Sequence, residues 1–597
     1  MGQAKKWRAC PVVGGEISSA ECGEHRVSKY SCPESCAFNP FSLANYPALL
    51  EAEGKLDDLC SQRLLGQIDD ATGARLRRSA ESKSPHALHA AICWELFFAT
   101  DAQDRTFTGR WAEQGFPGLR NDDRVLVRAK MRMRIALLEV QRVVDDQQID
   151  VVDLLDPARP TLRLVDIRLA ARACRFTTIM TWSYPLPHFW RSSGSAIVVK
   201  RLGPHRPEAV VRACATHLGA PAEAGALRRW LAEHFVRLDE AITATAYARQ
   251  RLLLSALDAE TGHVSYDLLI SRTACRRALL AHDAILRDAL TDKERAAGFL
   301  DALELLDRAQ PGPIASGPRV IGRLLLAKKS LRLEATGAAN SAALREQVER
   351  SLAGKIRFVQ ERRDDVGAQM AAAVPQSDAA LVPPVLLAEP DRISLSSSRT
   401  EGPARGESMA DYQARLMAEY RRTWADESVP QLGGRTPRAA AADPAWRRCV
   451  IEMVKEQVLA VDETNLRSGR CDDANALVRE LGLHEIDFPP PPPRAPLPAT
   501  DDGDDGDDDE NFEPGETPWP DLGPLPGAPL SIDAAYQRLE AAMAAFPTAQ
   551  SAFDLLERTS PGNLEALEQL TSEVLSEDEY VFFAPLFLQL WFALAPA

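Results

Sequence analysis

Four cysteines lie within the first 36 residues of this chain, whereas its other seven cysteines are scattered. The segment reads Cys10-x11-Cys22-x2-His25-x6-Cys32-x3-Cys36. Zinc prefers four tetrahedral nitrogen or sulfur ligands, and closed sites of this kind stabilise segments too small for a hydrophobic core. The spacing therefore predicts one structural zinc ion on the four cysteines, with His25 beside the site or replacing one ligand. The alternative is a set of free, buried thiols.

A second group of residues with recognisable chemistry is a run of arginines. Arg124, Arg128 and Arg132 recur every fourth residue, so a helix would place them on one face, with Lys130 and Arg134 alongside. Cations on one helix face can follow nucleic-acid phosphates, although basic solvated helices are common and no aromatic residues interleave with these charges. The pattern predicts either a nucleic-acid contact or an ordinary solvated face.

Enzyme motifs are missing from the sequence. No GxxxxGK(S/T), GxSxG, HExxH or GxGxxG pattern occurs in it. His86, His89 and Cys93 would share one helix face, but no fourth ligand accompanies them and the helix is apolar, which favours a core face. We therefore expect a binding protein. The remaining alternative is an enzyme whose active site is assembled from residues far apart in the chain.

The length and net charge of the chain limit the classes of protein to which it can belong. A chain of 597 residues with 45% hydrophobic residues predicts several domains. Its net charge is −15, but the run DDGDDGDDDE at 501–510 carries eight acidic groups, so the rest is about −7 (−15 + 8). The N-terminus has no apolar signal-like stretch, and no apolar run reaches transmembrane length. We expect a cytoplasmic protein that does not enter a membrane.

Changes in hydrophobic period divide the chain and predict an α+β fold, dominated by helices and containing small antiparallel sheets. The strand-rich part should contain a hairpin turning at Glu260-Thr261-Gly262 and a ββαβ unit over about 319–360. Two segments rich in proline or acidic residues are predicted to be disordered linkers. The expected divisions are a Cys-rich zinc segment (1–40), a helical region (41–148), an α+β region (149–365), a linker (366–408), a helical module (409–487), a Pro-rich acidic linker (488–529) and a C-terminal helical segment (530–597).

The sequence of the module at 409–487 predicts the first residues of two helices. Its centre, WADESVPQLGGRTPRAAAADPAWRRCVIEMV, places Thr436 before Pro437 and Asp443 before Pro444. In each case a side chain suited to cap a helix precedes a proline suited to its first position. Gly433-Gly434 predicts a tight turn before the first of these helices.

This pattern resembles W-x-x-x-x-(V/I)-P-x-L-G-G-x-T-P-x-x-A-A, found near the C-terminus of large, poorly characterised bacterial SEC-C-like proteins. It is more loosely similar to the toxin-binding domain of Xre/MbcA/ParS-type antitoxins. With the preceding IGRLLL, LRLEA and ALREQVERSL segments, the resemblance covers about 250–490. The compact cysteine motif that names the SEC-C group is absent here. The resemblance implies an architecture and no established activity.

The tryptophan of this module has two interpretations. Trp424, with Arg435 and Arg438 beside it, would suit a protein partner, because buried aromatic and arginine side chains dominate interface energies. The alternative is that Trp424, Pro430 and Leu432 form the core of a helix–turn–helix, with any partner contact left to the two arginines.

Together these patterns predict a zinc-stabilised, non-enzymatic interaction or regulatory protein of bacterial type that binds protein partners. The alternative is a nucleic-acid-associated factor, which would use the N-terminal zinc segment and the basic helix near 124–134.

Overall fold

The computed structural model describes residues 7–82, 84–311, 318–388, 393–394, 397–398 and 407–494. Helices account for more of these residues than strands, and the sheets are small and mainly antiparallel, as expected. The fold class predicted from the sequence is therefore confirmed. The predicted C-terminal segment (530–597) and all but the first residues of the acidic linker (488–529) lie outside the described residues.

A small hairpin and a set of helices precede the first large sheet. The hairpin pairs β1 with β2 and leads into helix α1. Five further helices then form the helical part of the predicted region 41–148. These elements are β1 (Trp7–Cys10), β2 (Gly15–Ser18), α1 (Ser19–His25), α2 (Tyr46–Leu65), α3 (Asp70–Ala80), α4 (Ala87–Phe97), α5 (Phe107–Glu113) and α6 (Asn121–Lys130).

A closed five-stranded barrel follows. Its elements are β3 (Arg134–Val143), β4 (Gln148–Asp153), β5 (Thr161–Val165), α7 (Ile167–Arg172), β6 (Thr178–Pro185) and β7 (Trp190–Val198). The order around the barrel is β3-β4-β5-β7-β6, and only β5 and β7 run parallel. In chain order this is 1-2-3-5-4, with a helix between the third and fourth strands. That arrangement is the topology of the OB barrel.

Strand β3 corrects the expectation of a helical region through residue 148. Residues 134–143 form a strand that is buried on both faces. Ile135 and Leu137 pack outward against the helices, while Ala136 and Leu138 face the barrel interior. A strand buried on both faces carries a continuous apolar run without alternation, so its periodicity does not separate it from a buried helix.

Three further helices cover the barrel and complete the largest apolar cluster, which also includes α2, α4, α5 and α6. They are α8 (Pro207–His217), α9 (Ala224–Glu233) and α10 (Phe235–Ala256). Helix α10 continues to Ala256, so the predicted hairpin at Glu260-Thr261-Gly262 is wrong. Its first apolar run belongs to the helix as far as Ala256, and the second forms a strand of a large sheet.

The second large sheet contains the predicted ββαβ unit. In chain order this part contains β8 (Leu257–Asp258), which lies outside the large sheet, and then β9 (Glu260–Leu268), α11 (Arg272–Leu279), β10 (Ile285–Asp288), α12 (Asp292–Ala296), β11 (Asp301–Pro311), β12 (Pro318–Leu326), β13 (Ser330–Thr336), α13 (Ala338–Ser351) and β14 (Ile356–Asp365). The order β10-β11-β12-β13-β9-β14 inserts β9 between the last two strands of that unit. Helices α11 and α13 pack on one face through leucines and valines.

The predicted linker at 366–408 is packed in its first part. It contains α14 (Val366–Ala373), two 3₁₀ turns, β15 (Ile393–Ser394) and β16 (Ser397–Ser398), which pair with β8 and β12 respectively. Leu386 is buried in the largest apolar cluster. The expectation of a linker is therefore wrong for residues 366–388, because spaced prolines and small residues also suit a segment that follows a surface groove. Residues 389–392, 395–396 and 399–406 lie outside the described residues.

The module at 409–487 is helical. It comprises α15 (Met409–Trp424), α16 (Pro437–Ala442), α17 (Pro444–Ser468) and α18 (Asn475–Glu480). Both predicted caps are present, since Thr436 Oγ1 accepts from the Ala439 N–H at 3.2 Å and Asp443 Oδ1 from the Ala445 N–H at 3.0 Å. Gly433 has φ +63°, as the predicted tight turn requires.

A buried arginine joins this module to the barrel. Arg175, just after α7, and Asp462 of α17 are both fully buried, and Arg175 Nε and Nη2 each donate to an Asp462 oxygen at 2.8 Å. Arg175 Nη1 also donates to Asn475 Oδ1 at 2.6 Å and to the Phe488 carbonyl at 2.8 Å. Beyond the proline run, Arg494 Nη1 donates to the carbonyls of Ala170 and Ala173, both at 2.8 Å, at the end of α7.

Candidate metal centre

The four N-terminal cysteines are positioned by the hairpin, helix α1 and the irregular chain after it. Cys10 ends β1 opposite Gly15, and the turn is closed by the Gly14 N–H donating to the Cys10 carbonyl at 3.0 Å, with Gly14 at φ +73°. Cys22 lies within α1, whose first turn is capped by Ser18. Cys32 and Cys36 follow in irregular chain outside any helix or strand.

Cys32 lies within electrostatic range of the other three thiols. Cys10 and Cys22 form a small buried cluster with Ile17, and Cys32 is also buried. Burial raises the pKa of the Cys32 thiol, and the nearby thiolate charges of Cys36, Cys22 and Cys10 raise it further. Mutual repulsion of this kind is relieved when a cation binds, because a metal ligand must be a thiolate.

The donor chemistry fits zinc, but the side chains do not form a closed ligand shell. Among the residues that the structure describes, no three His, Cys, Asp or Glu side chains are close enough together to hold a metal ion. The cysteines are free thiols. Four thiolates would hold zinc as a structural ion, and this requires rotation of their side chains toward a common centre.

His25 lies at the end of α1 and faces an aromatic neighbour. Its ring packs edge-on against Tyr30, with 5.8 Å between ring centroids. The Tyr30 hydroxyl in turn donates to Glu21 Oε1 at 2.8 Å. These contacts hold helix α1 and the chain after it together.

The cysteine segment docks on α6 and on the barrel. Arg26 Nε donates to Asp122 Oδ1 at 2.9 Å, and Asn121 Nδ2 donates to the Arg26 carbonyl at 2.8 Å. On the barrel side, Nε2 of His188, between β6 and β7, lies 3.0 Å from the Cys32 carbonyl oxygen. The segment is therefore attached to α6 before its third cysteine and to the barrel at that cysteine.

The predicted basic face is divided by the end of α6 at Lys130. Arg124 is partly buried, and Arg128 is exposed with its guanidinium 5.6 Å from the Phe116 ring centroid. Arg132 lies beyond the helix and donates to the Pro185 carbonyl at 3.3 Å. Lys130, expected alongside them, is buried and donates to both oxygens of Asp57.

The three residues considered for partner binding have different environments. Trp424 is 6% exposed and belongs to the apolar core of its module with Leu432. Arg435 is exposed, with its guanidinium 5.0 Å from the Trp446 ring centroid. Arg438 donates to Asp426 at 2.8 Å and to Glu480 at 2.5 Å.

The pairing of His89 with a serine was not predicted from the sequence. His89 Nδ1 lies 2.9 Å from Ser195 Oγ on β7, and its Nε2 lies 3.6 Å from Cys93 Sγ. Burial lowers the pKa of His89 and raises the pKa of Cys93 to about 12. The spacing of His89 and Cys93 showed a shared helix face, but nothing in the sequence connected that face to a strand about a hundred residues later.

No family model, no curated protein and no solved structure matches this chain. Within the described ranges, every helix is too short or too polar to cross a lipid bilayer.

Proposed function

We propose that this chain is a zinc-stabilised, non-enzymatic interaction protein of bacterial type, with a regulatory role exerted by binding a protein partner. Zinc would be held by Cys10, Cys22, Cys32 and Cys36. The observation that carries the proposal is that all four cysteines lie between residues 10 and 36, in a segment with very little apolar core. That core contains Ile17 and two of the cysteines themselves, which is too little to order a hairpin and a helix without a metal.

The hairpin would present the partner surface. Trp7 is 58% exposed, and Val12 and Val13 at the turn are 42% and 52% exposed. Trp7 lies at the open end of the hairpin and the two valines at its turn. An exposed tryptophan is the kind of anchor that dominates protein interfaces. Exposed Glu16 on the same hairpin disfavours a phosphate backbone, so the partner chemistry we propose is an apolar pocket on a protein.

Nucleic-acid binding is the second candidate, and the barrel topology favours it. OB barrels bind single strands on the face of their second and third strands. Arg142 and Arg163 flank Asp150 on the neighbouring strands β3, β4 and β5. This face carries two exposed cations with an acid between them, which is a weak phosphate site.

Metal analysis tests the zinc site. We expect about one zinc per chain in the purified protein, as a single tetrahedral site requires. Cys32→Ser should lose the metal, whereas Cys449→Ser, which changes an exposed cysteine of the helical module, should retain it. Metal-free wild-type protein that unfolds at the same temperature with and without added zinc would contradict the proposal.

Capture from the native host tests the partner surface. Wild-type protein should retain a protein partner that Trp7→Ala loses, while the zinc content of that variant is unchanged. Leu65→Ala removes a 60% exposed apolar side chain from α2 and serves as the matched control. Co-purification of RNA or DNA that is lost in Arg142→Ala/Arg163→Ala would instead support the second candidate. Retention of the partner by Trp7→Ala would exclude the hairpin as the contact surface.

A further inference from the structure

A cavity of about 330 Å³ lies between the barrel and helix α17. The barrel side contributes Glu139, the stretch 176–178 and the end of β7 with the chain after it, and α17 contributes one face of its middle part, between residues 452 and 463. This volume is at the lower end of the range for small-molecule sites, about 300–1,000 Å³. The cavity is separate from the cysteine segment and is not needed for the function proposed above.

Charges on the cavity wall leave an excess of carboxylates. Lys455 Nζ donates to both oxygens of Glu139 at 2.8 and 3.0 Å, and Arg201 Nε lies 3.2 Å from Glu456 Oε1. Two more carboxylates, Glu452 and Glu463, also line the cavity. The one further cation in the lining is Lys200, which is exposed. The wall therefore favours a positively charged guest.

One of these acids, Glu456, is half exposed and lies beside a second carboxylate. Partial burial raises the pKa of Glu456, Arg201 lowers it, and the neighbouring Glu452 raises it. Lys455 approaches Glu452 only to 3.9 Å, because its ammonium is already bound to Glu139. A cation placed between Glu452 and Glu456 would relieve the repulsion between them.

The apolar side of the cavity contains a residue in a strained conformation. Phe176 has φ +66°, in the left-handed region that bulky residues rarely adopt, and such residues cluster at ligand sites. The Lys455 ammonium lies 5.3 Å from the centroid of its ring, so this ring face already accommodates a cation. Val199 and Leu459 also belong to the apolar lining.

We propose that this cavity binds a small organic amine. Its ammonium group would lie between Glu452 and Glu456, and its hydrocarbon part would lie against Phe176, Val199 and Leu459. The carboxylates select the charge, and the apolar lining selects a ligand with a short hydrocarbon chain over an inorganic cation.

Isothermal titration calorimetry on the full chain tests the proposal with three probes of equal length: hexylamine, hexanol and hexanoate. We expect saturable binding of hexylamine at one site, weaker binding of hexanol and none of hexanoate. Glu452→Gln and Glu456→Gln should each weaken hexylamine binding about tenfold or more, since each removes one charged partner. Glu51→Gln, an exposed carboxylate on α2, should leave the binding unchanged.

A cavity-filling variant distinguishes occupation of the cavity from a surface charge effect. Leu459→Trp should abolish hexylamine binding while circular dichroism and the zinc content remain those of the wild type. Absence of hexylamine binding to the wild type at millimolar concentration would overturn the proposal. Hexanoate binding as tight as that of hexylamine, or equal losses in Glu51→Gln, would do the same.

Discussion

Three residues that were equivalent candidates for partner binding in the sequence differ in their burial in the structure. Trp424, Arg435 and Arg438 lie within 15 positions of each other and were all considered for partner contact. Only the two arginines are exposed, and their guanidiniums are occupied by Trp446 and by Asp426 and Glu480. Trp424 instead packs in the core with Val450 and Val454 of α17. Its burial indicates that Trp424 stabilises the module, as the core interpretation predicted.

Trp424→Ala should therefore destabilise the protein by about 3–5 kcal/mol, because truncation of a buried indole leaves a large cavity. Chemical denaturation followed by circular dichroism would measure this loss. Arg438→Ala, which breaks exposed ion pairs, should leave the denaturation midpoint nearly unchanged and is the matched control. A Trp424→Ala variant with wild-type stability that no longer captures a partner would assign Trp424 to the interface instead.

Elements were predictable where local chemistry specifies them. The starts of α16 and α17 follow from Thr436 and Asp443, whose side chains bond N–H groups two or three residues away. The pairing of β12 with β13 likewise follows from a short turn between alternating strands, with Leu326 opposite Leu331. Strand β3 was predicted to be part of a helical region. Both of its faces are buried by elements that are distant in the chain, so its sequence lacks the alternation that indicates a strand.

At the scale of the whole molecule, a buried polar contact holds the helical module on the barrel. Arg175 gathers Asp462, Asn475 and the Phe488 carbonyl from three separate segments. The side chains of Arg175, Asp462 and Asn475 are all buried. A charge pair in such a place is costly to break, because removing one partner leaves the other charge buried and unpaired.

Asp462→Ala should accordingly cost about 3–5 kcal/mol of stability and increase hydrogen exchange in α17 and α18. The double variant Arg175→Met/Asp462→Leu removes both charges and should recover much of that loss. Denaturation curves of the two variants and the wild type make the comparison. Equal destabilisation by the single and double variants would mean that shape, and not the unpaired charge, determines the effect.

The sequence by itself determined the features that depend on short range. These are the helix caps, the β12–β13 hairpin and the clustering of four cysteines in one segment, because each is a relation between residues a few positions apart. Only the tertiary structure decided that five strands close into a barrel, that Arg175 meets Asp462 about 290 residues later, and that Glu452 and Glu456 face Phe176 across a cavity. These outcomes depend on which distant surfaces bury each other. Local periodicity carries no record of that pairing.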